Sequence, residues 1–171
     1  MLLEPLKLFF EETRSKHTLL LVGPIASSFT QNGLQGDVYD ACMPKAFSEI
    51  LLRVKNGIGL IPLDDSLFSS CKSSIKFQHY TACGIVCAAS AVMPYTQAIQ
   101  HESTGILVPN TTEGWLEALH RLTSDTTLRR RFLAKAFTHC QRHAHPAQTI
   151  EDWKKAFYGL PRPDQHYLKK A

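Results

Sequence analysis

At 171 residues with a formal charge of +4, the chain suits one domain, long enough to bury about two-thirds of its unfolded surface. Its hydrophobic content of 44% against 20% charged residues excludes a disordered chain. The modest positive charge permits contact with phosphates or membrane headgroups and does not imply nucleic acid. The five cysteines (Cys42, Cys71, Cys83, Cys87 and Cys140) are odd in number and scattered. With no secretory pattern or long apolar span beside them, reduced thiols in a cytoplasmic protein are expected.

In chain order, Leu3 to Arg14 carries Leu3, Leu6, Phe9, Phe10 and Thr13 on one helical face, with Pro5 harmless in the first turn. Thr18 to Val22 is an apolar run ending at Gly23-Pro24, as for a strand buried on both faces. Ser27 to Gly36 is polar and glycine-bearing and reads as loop. Asp37 to Ala41 reads as a short strand, and Lys45 to Lys55 as a helix with Phe47, Ile50, Leu51 and Val54 inward. Ile58 to Leu63 is a buried strand, followed by a loop from Asp64 to Lys72. Ser73 to Cys83 reads as a helix opened by serines and stopped by Gly84, with Cys83 and Cys87 in packing roles across the junction to the strand Val86 to Ser90. A short helix around Pro94 to Gln100, a strand from Gly105 to Pro109, and threonine-capped helices Thr112 to Leu122 and Thr126 to His143 come next. A last helix over Thr149 to Phe157 precedes a polar tail, 161–171.

Strands separated by helices predict an α/β fold: a doubly wound, Rossmann-like, mostly parallel sheet of about five strands in one domain over residues 1–160. Ligands of such sheets sit outside the carboxyl ends of the strands, where Gly23-Pro24 and the loop from Asp64 to Ser74 fall. No G-x-G-x-x-G follows any strand, which argues against a dinucleotide-dependent dehydrogenase.

The stretch from Lys72 to Gly84 carries the chemistry. A helix start exposes unpaired N–H groups and partial positive charge, so it suits a phosphate, and Lys72 and Lys76 add cations there. The bland reading makes Ser73 a helix cap and nothing more.

Lys72-Ser73-Ser74-Ile75-Lys76 through His79-Tyr80, Ala82, Gly84 and Val86 to Ser90 resembles the donor-binding segment of GT-B glycosyltransferases, K-S-x-I-K-x-x-E-Y-x-A-x-G-x-P-V-V-A-S. The likeness to glycosyltransferase group 1, or family 4, extends over roughly residues 6 to 140. Leu20 to Pro24, Ile58 to Asp64, Ser90 to Tyr95, Thr104 to Val108, Trp115 and Leu128-Arg129 stand in the family's order. The resemblance implies the carboxyl-terminal, nucleotide-sugar-binding half of a GT-B enzyme. It implies a hexosyltransferase of polysaccharide biosynthesis that transfers sugar to a glycan or lipid-linked acceptor. A nucleoside-diphosphate sugar would be the donor substrate, with no cofactor and no metal.

By the same resemblance, Ser73, Ser74, Lys76 and Lys72 would hold the donor diphosphate, and His79, Gly23, Pro24, Val38 and Tyr39 the ribose and base. The bland reading packs Tyr39 into the sheet. Two positions depart from the pattern. The carboxylates of the family's E-x7-E pair fall at Cys71 and His79, and a neutral imidazole lacks the charge that makes a bond to a hydroxyl strong. The family's first strand of this half, which lies between the strands at Thr18 to Val22 and Ile58 to Leu63, and the acceptor-binding half are also not represented. Direct pairing of those two strands in one five-stranded sheet is therefore expected. A degenerate, inactive module used for interaction is the alternative to an enzyme that works with a separate amino-terminal half.

Three further clusters carry bland readings. His139 and His143 stand one helical turn apart beside Cys140 and His145, a spacing that can hold zinc but lacks a third converging ligand. Arg129 to Arg131 point in different directions around a helix and read as a solvated face, with peripheral membrane association the most they imply. Asp64 and Asp65 read as turn caps before paired carboxylates.

Overall fold

The computed structural model describes residues 1–14 and 16–143, together with Ile150, Glu151, Trp153, Lys154, Lys155 and Tyr158. Five strands, β1 (Leu20–Val22), β2 (Asp37–Tyr39), β3 (Ile58–Ile61), β4 (Val86–Ser90) and β5 (Ile106–Val108), alternate with helices. The helices are α1 (Leu3–Glu12), α2 (Ile25–Gln31), α3 (Pro44–Leu52), α4 (Leu67–Ser70), α5 (Ile75–Ala82), α6 (Tyr95–Ala98), α7 (Thr112–Ser124) and α8 (Thr126–His143). The α/β class expected from the alternation is what the structure shows. Of the expected last helix, Thr149, Asp152, Ala156 and Phe157 lie outside the described residues, as does the tail from Pro161.

All strand pairs are parallel, but they form two sheets. β1 pairs with β2 through Leu20↔Asp37, Leu21↔Val38 and Val22↔Tyr39. β4 is central to the second sheet, with Ile58↔Val86 on one side and Ala88↔Ile106 on the other. The expected direct pairing of β1 with β3 is not formed. Side chains join the two halves instead. Leu2, Leu6 and Phe9 on and beside α1 pack in one cluster with Leu34, which precedes β2, and with Trp115, Leu119 and Leu122 of α7. Leu19, Ile58 and Leu60 lie against that same cluster.

The pleat of β4 sorts the core into two layers. Val86 and Ala88 face the α1–α7 layer, and Cys87 and Ala89 face Phe77, Tyr95, Ile99 and Ala136. β4 is therefore buried on both sides, as a continuous apolar run in a parallel sheet requires. Burial pushes the Cys87 thiol far above its ordinary range, with Cys140 adding to the effect, in keeping with a packing role.

Four local readings are corrected. The segment from Ser27, expected as loop, is helical to Gln31, because Ser27 and Thr30 bond their hydroxyls to the carbonyls of Pro24 and Ala26 and leave the buried Ala26 inward. The expected loop after β3 contains the single turn α4, capped by Ser66. The cap of α7 is Thr111, one residue earlier than expected, and that of α8 is Asp125 in place of a threonine. Arg129 is half-buried and not part of a solvated face: its guanidinium donates to the Leu122 and Thr123 carbonyls and closes the end of α7, while Arg130 and Arg131 are exposed.

Candidate phosphate-binding cleft

The site begins with how the carboxyl ends of β3, β4 and β5 are tied. The Leu63 N–H donates to Ser90 Oγ (2.8 Å), Ser90 Oγ donates to Asn110 Oδ1 (2.7 Å), and Asn110 Nδ2 donates to the Leu63 carbonyl (2.8 Å). Ser90 is fully buried, so this closed ring satisfies its hydroxyl and fixes the backbone where β3 ends.

From that point Asp64 builds the next turn. Its Oδ1 accepts from the Ser66 N–H (3.1 Å), the Ser66 hydroxyl (2.5 Å) and the Ser69 hydroxyl (2.5 Å). Ser66 Oγ in turn accepts from the Ser69 N–H at 3.1 Å, and Ser69 is buried. The Ser66 and Ser69 hydroxyls hold the Asp64 carboxyl below its ordinary range, with the Ser66 N–H and Lys72 adding to them. Asp64 is thus the turn cap expected of it, and the two adjacent apolar side chains of α4, Leu67 and Phe68, stand in solvent.

The chain turns once more and enters α5. Phe77 and Thr81 are buried against the sheet and anchor the helix, which leaves Lys76 on the outer face. α5 opens at Ile75. Ser74 occupies the cap position without a side-chain hydrogen bond, a correction to the expected serine cap. In the first turn the Phe77 N–H donates to the Ser74 carbonyl at 3.0 Å, while the Ser74 hydroxyl covers none of the N–H groups there.

Between the end of β3 and the start of α5 lies an open cleft of ≈ 290 Å³, lined by Ile61, Pro62, Leu63, Lys72, Ser73, Ile75, Lys76 and Tyr95. Lys72, Ser73 and Lys76 are exposed, Ser74 is half-buried, and Tyr95 is buried. Three of the four residues named from sequence for the diphosphate therefore line one opening, with Ser74 beside them at the helix start. Its walls combine apolar strand and ring surface with two lysines and a serine beside a helix start, an arrangement that can attract a small anion.

The residues named for the nucleotide fall elsewhere. Gly23 has φ +89° and donates its N–H to the Tyr39 carbonyl at 2.9 Å, which joins it to the end of β2. Pro24 caps α2, Val38 is exposed and Tyr39 half-buried, so these four residues gather at the carboxyl end of the β1–β2 pair. They are not in the lining of the cleft. His79 lies in the last turn of α5, half-buried, with its ring 6.3 Å from that of Phe47. Asn110, which ties Leu63 of the cleft wall to Ser90, carries no motif in the sequence. Its one signal was a polar residue directly after the apolar run Ile106 to Pro109.

The His139 and His143 rings lie tilted with centroids 4.5 Å apart, and desolvation, then the His143 charge, holds His139 below its ordinary range. Among the described residues, no group of three or more His, Cys, Asp or Glu is arranged to hold a metal ion. Among them too, no helix is long and apolar enough to cross a membrane.

No protein-family model and no curated protein matches the sequence. In three dimensions the chain is similar to sucrose-phosphate synthase from Thermosynechococcus elongatus, with a TM-score of 0.67 and 19% sequence identity. The fold is that of a GT-B Rossmann-like domain. The match covers 92% of this chain and 43% of that one, so the chain spans under half the length of that neighbour.

Proposed function

We propose that the chain binds a nucleoside-diphosphate sugar and serves as the donor half of a glycosyltransferase, in a cytoplasmic setting. The diphosphate lies at the start of α5, against the amides of the first turn and the ammonium groups of Lys72 and Lys76. The ribose and base extend toward Gly23, Pro24, Val38 and Tyr39. The observation that carries this reading is the position of Lys72, Ser73 and Lys76 on one open cleft at the carboxyl end of β3. Glycosyl transfer develops positive charge on the sugar and negative charge on the departing diphosphate, and the amide-rich helix start and lysines are suited to the second. The acceptor, a glycan or a lipid-linked sugar, would be held by an amino-terminal half, either a separate chain or part of a longer polypeptide.

Calorimetry on the whole chain with UDP, GDP and a UDP-sugar tests the reading. Binding in the millimolar range or tighter, weakened by Lys76→Ala, supports it. No binding of any of the three removes it. A second reading, a donor-binding module without turnover, is favoured by Cys71 and His79 at the family's two carboxylate positions and by the packing of His79 beside Phe47. Binding of donor without hydrolysis or transfer by the chain mixed with its amino-terminal half would select it.

A further inference from the structure

Phe68 is three-quarters exposed beside a neighbour, Leu67, that is more exposed still, and neither contributes to the core. Burying either would gain stability, so their display calls for a reason. The turn that carries them is not loose. Asp64 accepts three hydrogen bonds from Ser66 and Ser69, and the buried Ser69 pins α4 to the protein. The turns continue past α4, with the Cys71 N–H on the Phe68 carbonyl and the Lys72 N–H on the Ser69 carbonyl. Phe68 and Lys72 are thereby one turn apart, and the Lys72 ammonium sits 4.9 Å from the Phe68 ring centroid.

Lys72 also lines the cleft. Among the described residues no carboxylate stands within ion-pair distance of it. Asp64 of the same turn feels the Lys72 charge but forms no ion pair with it, and its Oδ1 is occupied by hydroxyl and amide donors. An aromatic face differs from a carboxylate in one respect that matters here: it attracts a cation without cancelling its charge. A lysine locked in an ion pair would have to break that pair to meet a new anion. A lysine over a ring is held at the rim with its charge intact and with N–H donors still free.

We infer that Phe68 is a positioning residue, which holds Lys72 as an un-neutralised cation at the rim of the cleft for capture of a phosphate-bearing ligand. The inference deepens the donor-binding reading and rests on it for the identity of the anion, though not for the placement of Lys72.

The test is calorimetry on the whole chain with two probes, inorganic pyrophosphate and UDP, for Phe68→Leu, Phe68→Trp, Lys72→Met and the double variant F68L/K72M. The expected result is a loss of affinity of about two- to five-fold for Phe68→Leu, the range of an exposed cation–ring contact, and its recovery in Phe68→Trp. In the Lys72→Met background, Phe68→Leu should have no further effect. An unchanged affinity in Phe68→Leu, or an equal loss with and without Lys72, overturns the inference, because either removes the link through the ammonium. Pyrophosphate binding that depends on Phe68, with no UDP binding, supports the inference and defeats the donor reading. UDP binding indifferent to both Phe68 and Lys72 overturns the inference and leaves the donor reading standing. Absence of binding by both probes overturns both. A second readout, the NMR shift of ¹³C-methylated Lys72 in the ligand-free chain, should show the ring's upfield displacement in the parent and Phe68→Trp and lose it in Phe68→Leu.

Discussion

The Ser90 hydroxyl donates to Asn110 Oδ1 across 2.7 Å, while it accepts from the Leu63 N–H and Asn110 returns a bond to the Leu63 carbonyl. Two residues 20 positions apart thus close a ring through the end of a third strand. The opening proposed to take a phosphate is built directly on that ring, since Leu63 belongs both to it and to the cleft wall. Ser90→Ala should lower unfolding free energy by about 1–3 kcal/mol, because it leaves the Leu63 N–H and the Asn110 oxygen without their partner. Urea denaturation at neutral pH measures this, and a loss indistinguishable from zero would contradict the structural role of the ring.

Gly59 sits in β3 directly beneath Tyr80 of α5, and a Cβ built there would overlap the Tyr80 ring. The ring is confined: desolvation, with smaller effects from Cys87 and Tyr95, pushes the Tyr80 hydroxyl up to about 12. Gly59→Ala is therefore expected to cost about 1–3 kcal/mol by forcing α5 off the sheet. Because α5 carries Lys76, amide exchange in α5 should quicken together with the loss of stability. Exchange unchanged in α5 would mean that the ring absorbs the methyl without moving the helix.

Lys76 leaves its helix outward at the cleft, exposed and with its neighbour Phe77 buried as anchor. Lys76→Ala removes a charged donor without touching the core, so the fold should keep its thermal midpoint. Affinity for UDP should fall about tenfold or more, the worth of one hydrogen bond to a charged group. Lys76→Arg should recover part of that. Equal affinities in all three proteins would place the diphosphate elsewhere.

His139 is held below its ordinary value of 6.5 by desolvation and by His143, so the folded chain prefers it neutral. A depressed pKa contributes stability that is fully present above the unfolded value and is lost as pH falls through the folded one. Stability should accordingly decline as the pH drops below about 6.5, as the unfolded chain takes up the proton first. His139→Gln should flatten that decline relative to the parent, measured by urea denaturation at pH 7.5 and pH 5. A parallel decline in both proteins would assign it to other groups.

Much of the fold could be read from the residues because it depends on local periodicity. The run Val86 to Ser90 matches β4 from end to end, and the helix from Thr126 to His143 matches α8. Where reading failed, the signal was non-local or reversed. Ser27 and Thr30 look like loop residues until their hydroxyls are seen bonded to the helix's own carbonyls. Ser73 and Ser74 look like caps, yet the α5 cap position is filled by backbone geometry alone. Asn110 and Phe68 had no motif around them, since each acquires its role from a residue placed by the turn or strand opposite.

By itself the sequence determined the five strands and the helices other than α2 and α4, and that Lys72, Ser73 and Lys76 share the approach to one helix, because spacing along a chain dictates both. Tertiary structure alone decided that the strands split into a pair and a triplet. It also decided that Ser90 reaches Asn110, and that Lys72 rests on an aromatic ring with no carboxylate of the described residues within ion-pair distance. Those outcomes depend on distances between segments, which no local pattern encodes, and they are fixed by how apolar layers on both faces of β4 pull the helices into place.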